Sequence, residues 1–172
     1  MPRIFLVGFM GAGKSSAGAA LAARMGCRFV DLDDRIRHRF GVPIPEIFAR
    51  HGETVFRTAE SDELARCAEL DGVVVATGGG AFCSEDNRQV IHDSGGVSVF
   101  LDLPWSELEL RLAGEHSDRP MWDGSDQARH LFEQRLPHYR RAAVTVALDG
   151  NDSPDEVAER VQAALREVPC AP

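Results

Sequence analysis

The chain is short of positive charge. Its 172 residues carry 19 basic against 27 acidic side chains, a formal net charge of −8, and the sequence pI is about 5.2. That deficit argues against sequence-independent nucleic-acid binding, which neutralises phosphates with lysine and arginine. It argues equally against docking on anionic lipid. No apolar run approaches the roughly 18 residues that suggest a membrane-spanning helix. The run Ile4–Val7 is too short for a signal-peptide core and leads straight into glycines, so no targeting segment is expected. The four cysteines, Cys27, Cys67, Cys83 and Cys170, include no C-x-x-C pair and no Cys/His spacing of a zinc site. They read as reduced thiols, and the cytoplasm is the expected compartment. Repeats, low-complexity tracts and linkers are also missing, which leaves one domain over residues 1–172. A chain of this length buries about 70% of its unfolded surface and needs no disulfide or structural metal to fold.

What is present is a regular alternation. Ile4–Val7, Arg28–Asp31, Val73–Ala76, Val97–Leu101 and Val144–Leu148 read as five strands, several without polar alternation. Strands buried on both faces look like this, and they belong to parallel sheets covered by helices. Helical patterns fall between them at Lys14–Met25, Glu53–Leu70, Ser84–Asp93 and Ser106–Ala113. In the first of these, Ala19, Leu21, Ala22 and Met25 make the expected apolar face. A last helix opens on Ser153-Pro154-Asp155-Glu156, a capping box with proline at the first helical position. Its apolar face is Val157, Val161, Leu165 and Val168. The pattern predicts a three-layer α/β fold with a five-stranded parallel sheet flanked by helices, and the G-x-x-x-x-G-K-[ST] motif after the first strand makes it the P-loop NTPase type. Gly114–Gly124 is polar and without period, and is expected to be a mobile lid.

Gly8-Phe9-Met10-Gly11-Ala12-Gly13-Lys14-Ser15 fits G-x-x-x-x-G-K-[ST] between a strand and an amphipathic helix. Glycines let successive N–H groups turn inward as an anion nest, and the helix N-terminus adds partial positive charge. Lys14 is placed to reach the β- and γ-phosphates, and the Ser15 hydroxyl to ligate Mg²⁺. The second strand ends in Asp31-Leu32-Asp33-Asp34 at the edge where open α/β sheets bind ligands. Asp31 and Asp33 share a side if the chain stays extended; helix capping by Asp33 or Asp34 is the plainer reading. Gly78, Gly79 and Gly80 follow the third strand and allow close approach to backbone. Arg57, Arg119 and Arg135 carry meaning only as a set.

In order along the chain stand Gly8 to Ser15, Phe29-x-Asp31-x-Asp33-x-x-Ile36, Ile47-Phe48, and Gly52-Glu53-x-x-Phe56-Arg57-x-x-Glu60. Gly78-Gly79-Gly80, Arg119-Pro120 and Arg135-x-x-x-Tyr139 complete the series. The sequence resembles the shikimate kinase family over nearly its whole length. The resemblance implies ATP and Mg²⁺ as cofactors and shikimate as substrate, phosphorylated on its 3-hydroxyl. It implies that Asp33 binds substrate hydroxyls and serves as base, and that Asp31 supports Mg²⁺ through water. Arg57 and Arg135 then hold the shikimate carboxylate, to which planar guanidinium groups can donate two parallel bonds. Gly78, Gly79 and Gly80 line the pocket, Phe48 and Phe56 pack its apolar side, and Arg119 reaches the transferred phosphate with Pro120 and Met121 against the substrate. Gly11, Ala12, Gly13, Lys14, Ser15, Ser16, Arg111 and Pro154 fall on the nucleotide.

Several positions depart from the family pattern. Met121-Trp122 stands where two leucines are usual, and Ser16 replaces a threonine. The adenine stretch Asp149-Gly150-Asn151-Asp152-Ser153-Pro154 has no basic residue, and the spacing from Arg111 to Arg119 is slightly altered. The rival reading is a small P-loop kinase for gluconate or another carboxylated polyol or cyclitol. A GTPase switch is disfavoured: N-K-x-D is absent, and D-x-x-G at Asp93–Gly96 precedes a strand where that motif should follow one. A monomer without nucleic-acid or membrane partners is expected. Anion binding must then come from short-range chemistry, set against the protein's overall field.

Overall fold

The computed structural model describes residues 2–114 and 125–167. Its strands are β1 (Arg3–Val7), β2 (Arg28–Asp31), β3 (Val73–Ala76), β4 (Val97–Asp102) and β5 (Val144–Ala147). They form one parallel sheet in the order β2-β3-β1-β4-β5. The expected strands stand within a residue at each end. In β1 and β3 the apolar runs Ile4–Val7 and Val73–Ala76 are wholly buried, as the lack of alternation required. The edge strands β2 and β5 have one neighbour each and remain partly exposed.

The helices are α1 (Lys14–Met25), α2 (Leu32–Phe40), α3 (Ile44–Ala68), α4 (Glu85–Asp93), α5 (Trp105–Gly114), α6 (Ser125–Tyr139) and α7 (Pro154–Arg166). α1 packs on β2, β3 and α7, while α3 packs on α2 and α4. The buried face of α1 is Ala17, Gly18, Leu21 and Ala22; Ala19, expected inside, is exposed. Gly18 is required by space, because a Cβ there would lie 2.6 Å from the Phe29 ring. The capping box of α7 is present, with Val157 and Val161 buried and Leu165 half-buried. Val168 lies outside the described residues, as does Cys170. Among the described residues no helix is long and apolar enough to cross a membrane.

Three helical features were not legible. α2 buries only Leu32 and Ile36 among charged residues, so its apolar stripe is too sparse to read. α6 holds Pro137 in its last turn, a residue that argues against helix. α3 starts at Ile44, earlier than expected, and is broken at Gly52 (φ 80°, ψ 169°), a conformation that favours glycine. Both of its parts join α2 around a small separate core of Ile36, Ile47 and Phe56, with Phe40, Val42, Ile44 and Phe48 packed against it.

Candidate active site

The carboxyl ends of β1, β2 and β3 open into one cavity of about 1480 Å³. The loop after β1 supplies its first wall. Gly13 caps α1 with φ 87°, a left-handed conformation of the kind from which anion-binding nests of backbone N–H groups are built. The Lys14 ammonium donates to the carbonyls of Gly8 and Phe9 at 2.9 and 2.8 Å. Ser16 donates to the Gly13 carbonyl, and Ala12 is buried beneath the loop. Arg111, on α5, donates to the carbonyls of Gly11 (3.1 Å) and Gly150 (2.8 Å), tying the phosphate loop to the turn before α7. Pro154 opens α7 and is exposed; neither it nor Ala12 lines the cavity.

The acidic segment departs from the extended reading. The chain turns helical at Leu32, and capping falls to Asp31, not to Asp33 or Asp34. One Asp31 oxygen accepts from the Asp33 N–H at 2.9 Å. The other accepts from the Ser15 hydroxyl at 2.5 Å. The cap leaves Asp33 in the first turn of α2, and both carboxylates still face the cavity.

The opposite wall joins α3, α6 and the glycines after β3. Thr77 pins this turn by donating its N–H and hydroxyl to the Leu6 carbonyl. Gly78, Gly79 and Gly80 have ordinary φ, so their need is room rather than backbone twist. A Cβ on Gly78 would strike a Glu60 oxygen, and one on Gly80 would strike the Arg57 guanidinium. At Gly79 it would stand 3.2 Å from Arg135, and the Gly79 carbonyl accepts from the buried Tyr139 hydroxyl at 2.5 Å. Burial pushes the Tyr139 hydroxyl well above its ordinary value. Phe48 and Phe56 lie ring to ring at 4.5 Å, and Phe56 also carries the Arg57 guanidinium 5.2 Å from its centroid. Phe56 therefore serves the small core as well as the cavity wall.

Glu60 closes the Gly52–Glu60 motif of the sequence, one turn after Arg57, but the sequence alone assigns it no role there. The side chain is 2% exposed, and one oxygen accepts from Arg57 at 2.7 Å. The other oxygen has no hydrogen-bond partner among the described residues and points at Gly78. Burial raises the Glu60 carboxyl above the ordinary glutamate range, more strongly than Arg57 lowers it. A carboxyl raised by folding binds its proton more tightly in the native state. Its contribution to stability is therefore lost as pH climbs from the unfolded value through the native one. Glu60→Gln is expected to remove this fall, so that thermal midpoints of variant and wild type diverge with rising pH across that window. Parallel curves would contradict it.

Arg37 and His38 of α2 also line the rim, with Arg37 paired to Asp34; neither was singled out. Arg119, Pro120 and Met121, with the expected lid over 114–124 beyond its first residue, lie outside the described residues.

A family model described as shikimate kinase matches residues 10–166. A shikimate kinase of Ruegeria pomeroyi is 43% identical over 166 residues, covering 94% of this chain and 84% of that one. A shikimate kinase of Aquifex aeolicus is 35% identical and covers 95% of each chain. Among solved structures, shikimate kinase from Acinetobacter baumannii in complex with shikimate superposes with a TM-score of 0.88 at 33% identity. It covers 96% of this chain and 93% of its own.

Proposed function

The chain belongs to the shikimate kinase family, and from that premise we propose that it transfers the γ-phosphoryl group of ATP to the 3-hydroxyl of shikimate, giving shikimate 3-phosphate and ADP. One observation carries the reading. A single cavity holds the phosphate loop with Lys14 at one wall and Arg57, Arg135 and Asp33 at the other. The first wall suits a nucleotide's phosphates; the second suits a small acceptor with both a carboxylate and hydroxyls. A neutral sugar would bring no anion to Arg135 or to Arg57, whose own pairs with Glu53 and Glu60 lie along α3.

In this reading Gly11, Ala12, Gly13, Lys14, Ser15 and Ser16 hold the phosphates of ATP. Arg111 and the stretch ending at Pro154 hold its adenine. Arg57 and Arg135 fix the shikimate carboxylate over Gly78–Gly80, and Asp33 orients the 3-hydroxyl and accepts its proton. A loose transition state needs little proton removal early, so Asp33 acts first by orientation. Lys14 stabilises charge on the transferring group. Arg119 joins it there, and Pro120 and Met121 rest against the substrate, on sequence grounds alone.

The donor set fits Mg²⁺. The Ser15 hydroxyl and the Asp31 carboxylate are adjacent hard oxygens, and this ion keeps most of its waters while taking one or two protein groups. When bound it neutralises phosphate charge, with Ser15 as direct ligand and Asp31 acting through water.

The test is ADP release with shikimate, quinate and gluconate offered side by side. Shikimate is expected to support turnover far above both others. Release with gluconate and none with shikimate would overturn the proposal.

A further inference from the structure

We propose that Glu63 is a positioning residue: by gathering arginines from two helices it fixes the register of α2 along α3, and with it the separation of Asp33 from Arg57. The inference rests on the reaction proposed above. Asp33 rides on α2, with Arg35 and Arg39 following on the same helix. Arg57 and Glu60 ride on α3, about two turns and one turn before Glu63.

Glu63 is buried, and its carboxylate meets three guanidinium groups. Arg35 stands 3.3 Å from one oxygen. Arg66 donates to the other at 3.2 Å, and Arg39 lies 3.7 Å from that same oxygen. Arg39 also donates to Asp62 at 3.1 Å, and Arg35 to the Cys67 sulfur at 3.3 Å. Two of the three cations on Glu63 thus come from α2, one turn apart, onto one carboxylate of α3.

The other side of the α2–α3 contact is the small apolar core of Ile36, Ile47 and Phe56. Apolar burial holds two helices together but is non-directional, so it sets their register weakly. The two α2 cations meet this carboxylate as ion pairs, and the hydrogen bonds that Arg39 donates to Asp62 and Arg35 to Cys67 beside it are directional and resist sliding. Glu63 itself does not line the cavity, so its influence on turnover passes through the helices that carry the site. Isolated exposed ion pairs contribute little, whereas a network centred on a desolvated carboxylate is the exception.

Glu63→Gln keeps the side chain's shape and removes its charge. Arg35, Arg39 and Arg66 are each partly exposed and regain water, so the fold is expected to survive. Misplacement by an ångström costs up to about 100-fold, so a smaller slip is expected to raise the KM for shikimate about tenfold. KM for ATP is expected to change less than twofold, while kcat falls with the displacement of Asp33. Arg35→Gln is expected to raise the same KM by a smaller factor, and the double variant to be no worse than Glu63→Gln alone, the signature of a shared interaction.

A shikimate KM within twofold of wild type in Glu63→Gln would overturn the proposal. So would equal rises for both substrates, or additive effects in the double variant. If Glu63→Gln yields no folded protein, Arg35→Gln decides: a selective rise in shikimate KM supports the role and its absence overturns it. Wild type is measured first. Inactivity on shikimate there refutes the proposed reaction itself, whereas an active wild type with an unmoved variant refutes only the role of Glu63.

Discussion

Asp33→Asn is expected to lower turnover with shikimate by about 10³-fold, within the range that positioned acid–base groups supply. The substitution keeps the shape in the first turn of α2 and leaves the Asp31 cap intact, since that cap uses the backbone N–H of residue 33. What is lost is the charge that orients the acceptor hydroxyl and takes its proton. Nucleotide binding is expected to persist, because the phosphate loop and α1 are untouched. Lys14, the one lysine in the chain, offers a direct check. ATP should protect it from amine acylation equally in variant and wild type. Turnover like that of wild type would remove Asp33 from its assigned role.

Arg57→Ala is expected to reduce kcat/KM for shikimate by about 10²–10³-fold, as when one partner of a desolvated charge pair is removed at an interface. Two losses combine. The substrate carboxylate loses a planar double donor, and Glu60 loses the cation that offsets its burial. Glu60 escapes most of the second cost by keeping its proton, so the loss of stability is expected to stay at about 1–3 kcal/mol. Varying shikimate and ATP separately checks the first effect, and urea unfolding the second. Arg57→Lys is expected to recover only part of the activity, because an ammonium cannot donate two parallel bonds. Full activity in the lysine variant would show that charge alone suffices at this position.

The sheet was legible because β1 and β3 are apolar without interruption, a pattern that only strands covered on both faces adopt at this length. The phosphate loop was legible because its spacing, its glycines and its flanking elements agree. α2 and α6 were not, since one is nearly all charged and the other ends on a proline. The structure brought Asp33, Arg57, Gly78–Gly80 and Arg135 to one cavity as expected. It altered the reasons. Asp31 both caps a helix and meets Ser15, and the three glycines are small to admit Glu60, Arg135 and Arg57 in turn. The buried environment of Glu60 could not be read from sequence, because it depends on β3 and α3 meeting. The same holds for Glu63, whose partners lie some two dozen residues away on α2.

The net charge of −8 also takes a definite meaning. Lys14, Arg37, Arg57, Arg111 and Arg135 line one cavity against the carboxylates of Asp31, Asp33 and Glu60, so the local charge balance there is opposite in sign to that of the whole protein. The account's central claim is that this cavity directs the γ-phosphoryl group to one hydroxyl of a carboxylated acceptor. Phosphorus–proton coupling in the NMR spectrum of the purified product tests it most directly. A product with phosphorus coupled to the proton on carbon 3 of shikimate is the expected result. Coupling at another carbon, or inorganic phosphate alone, would contradict it.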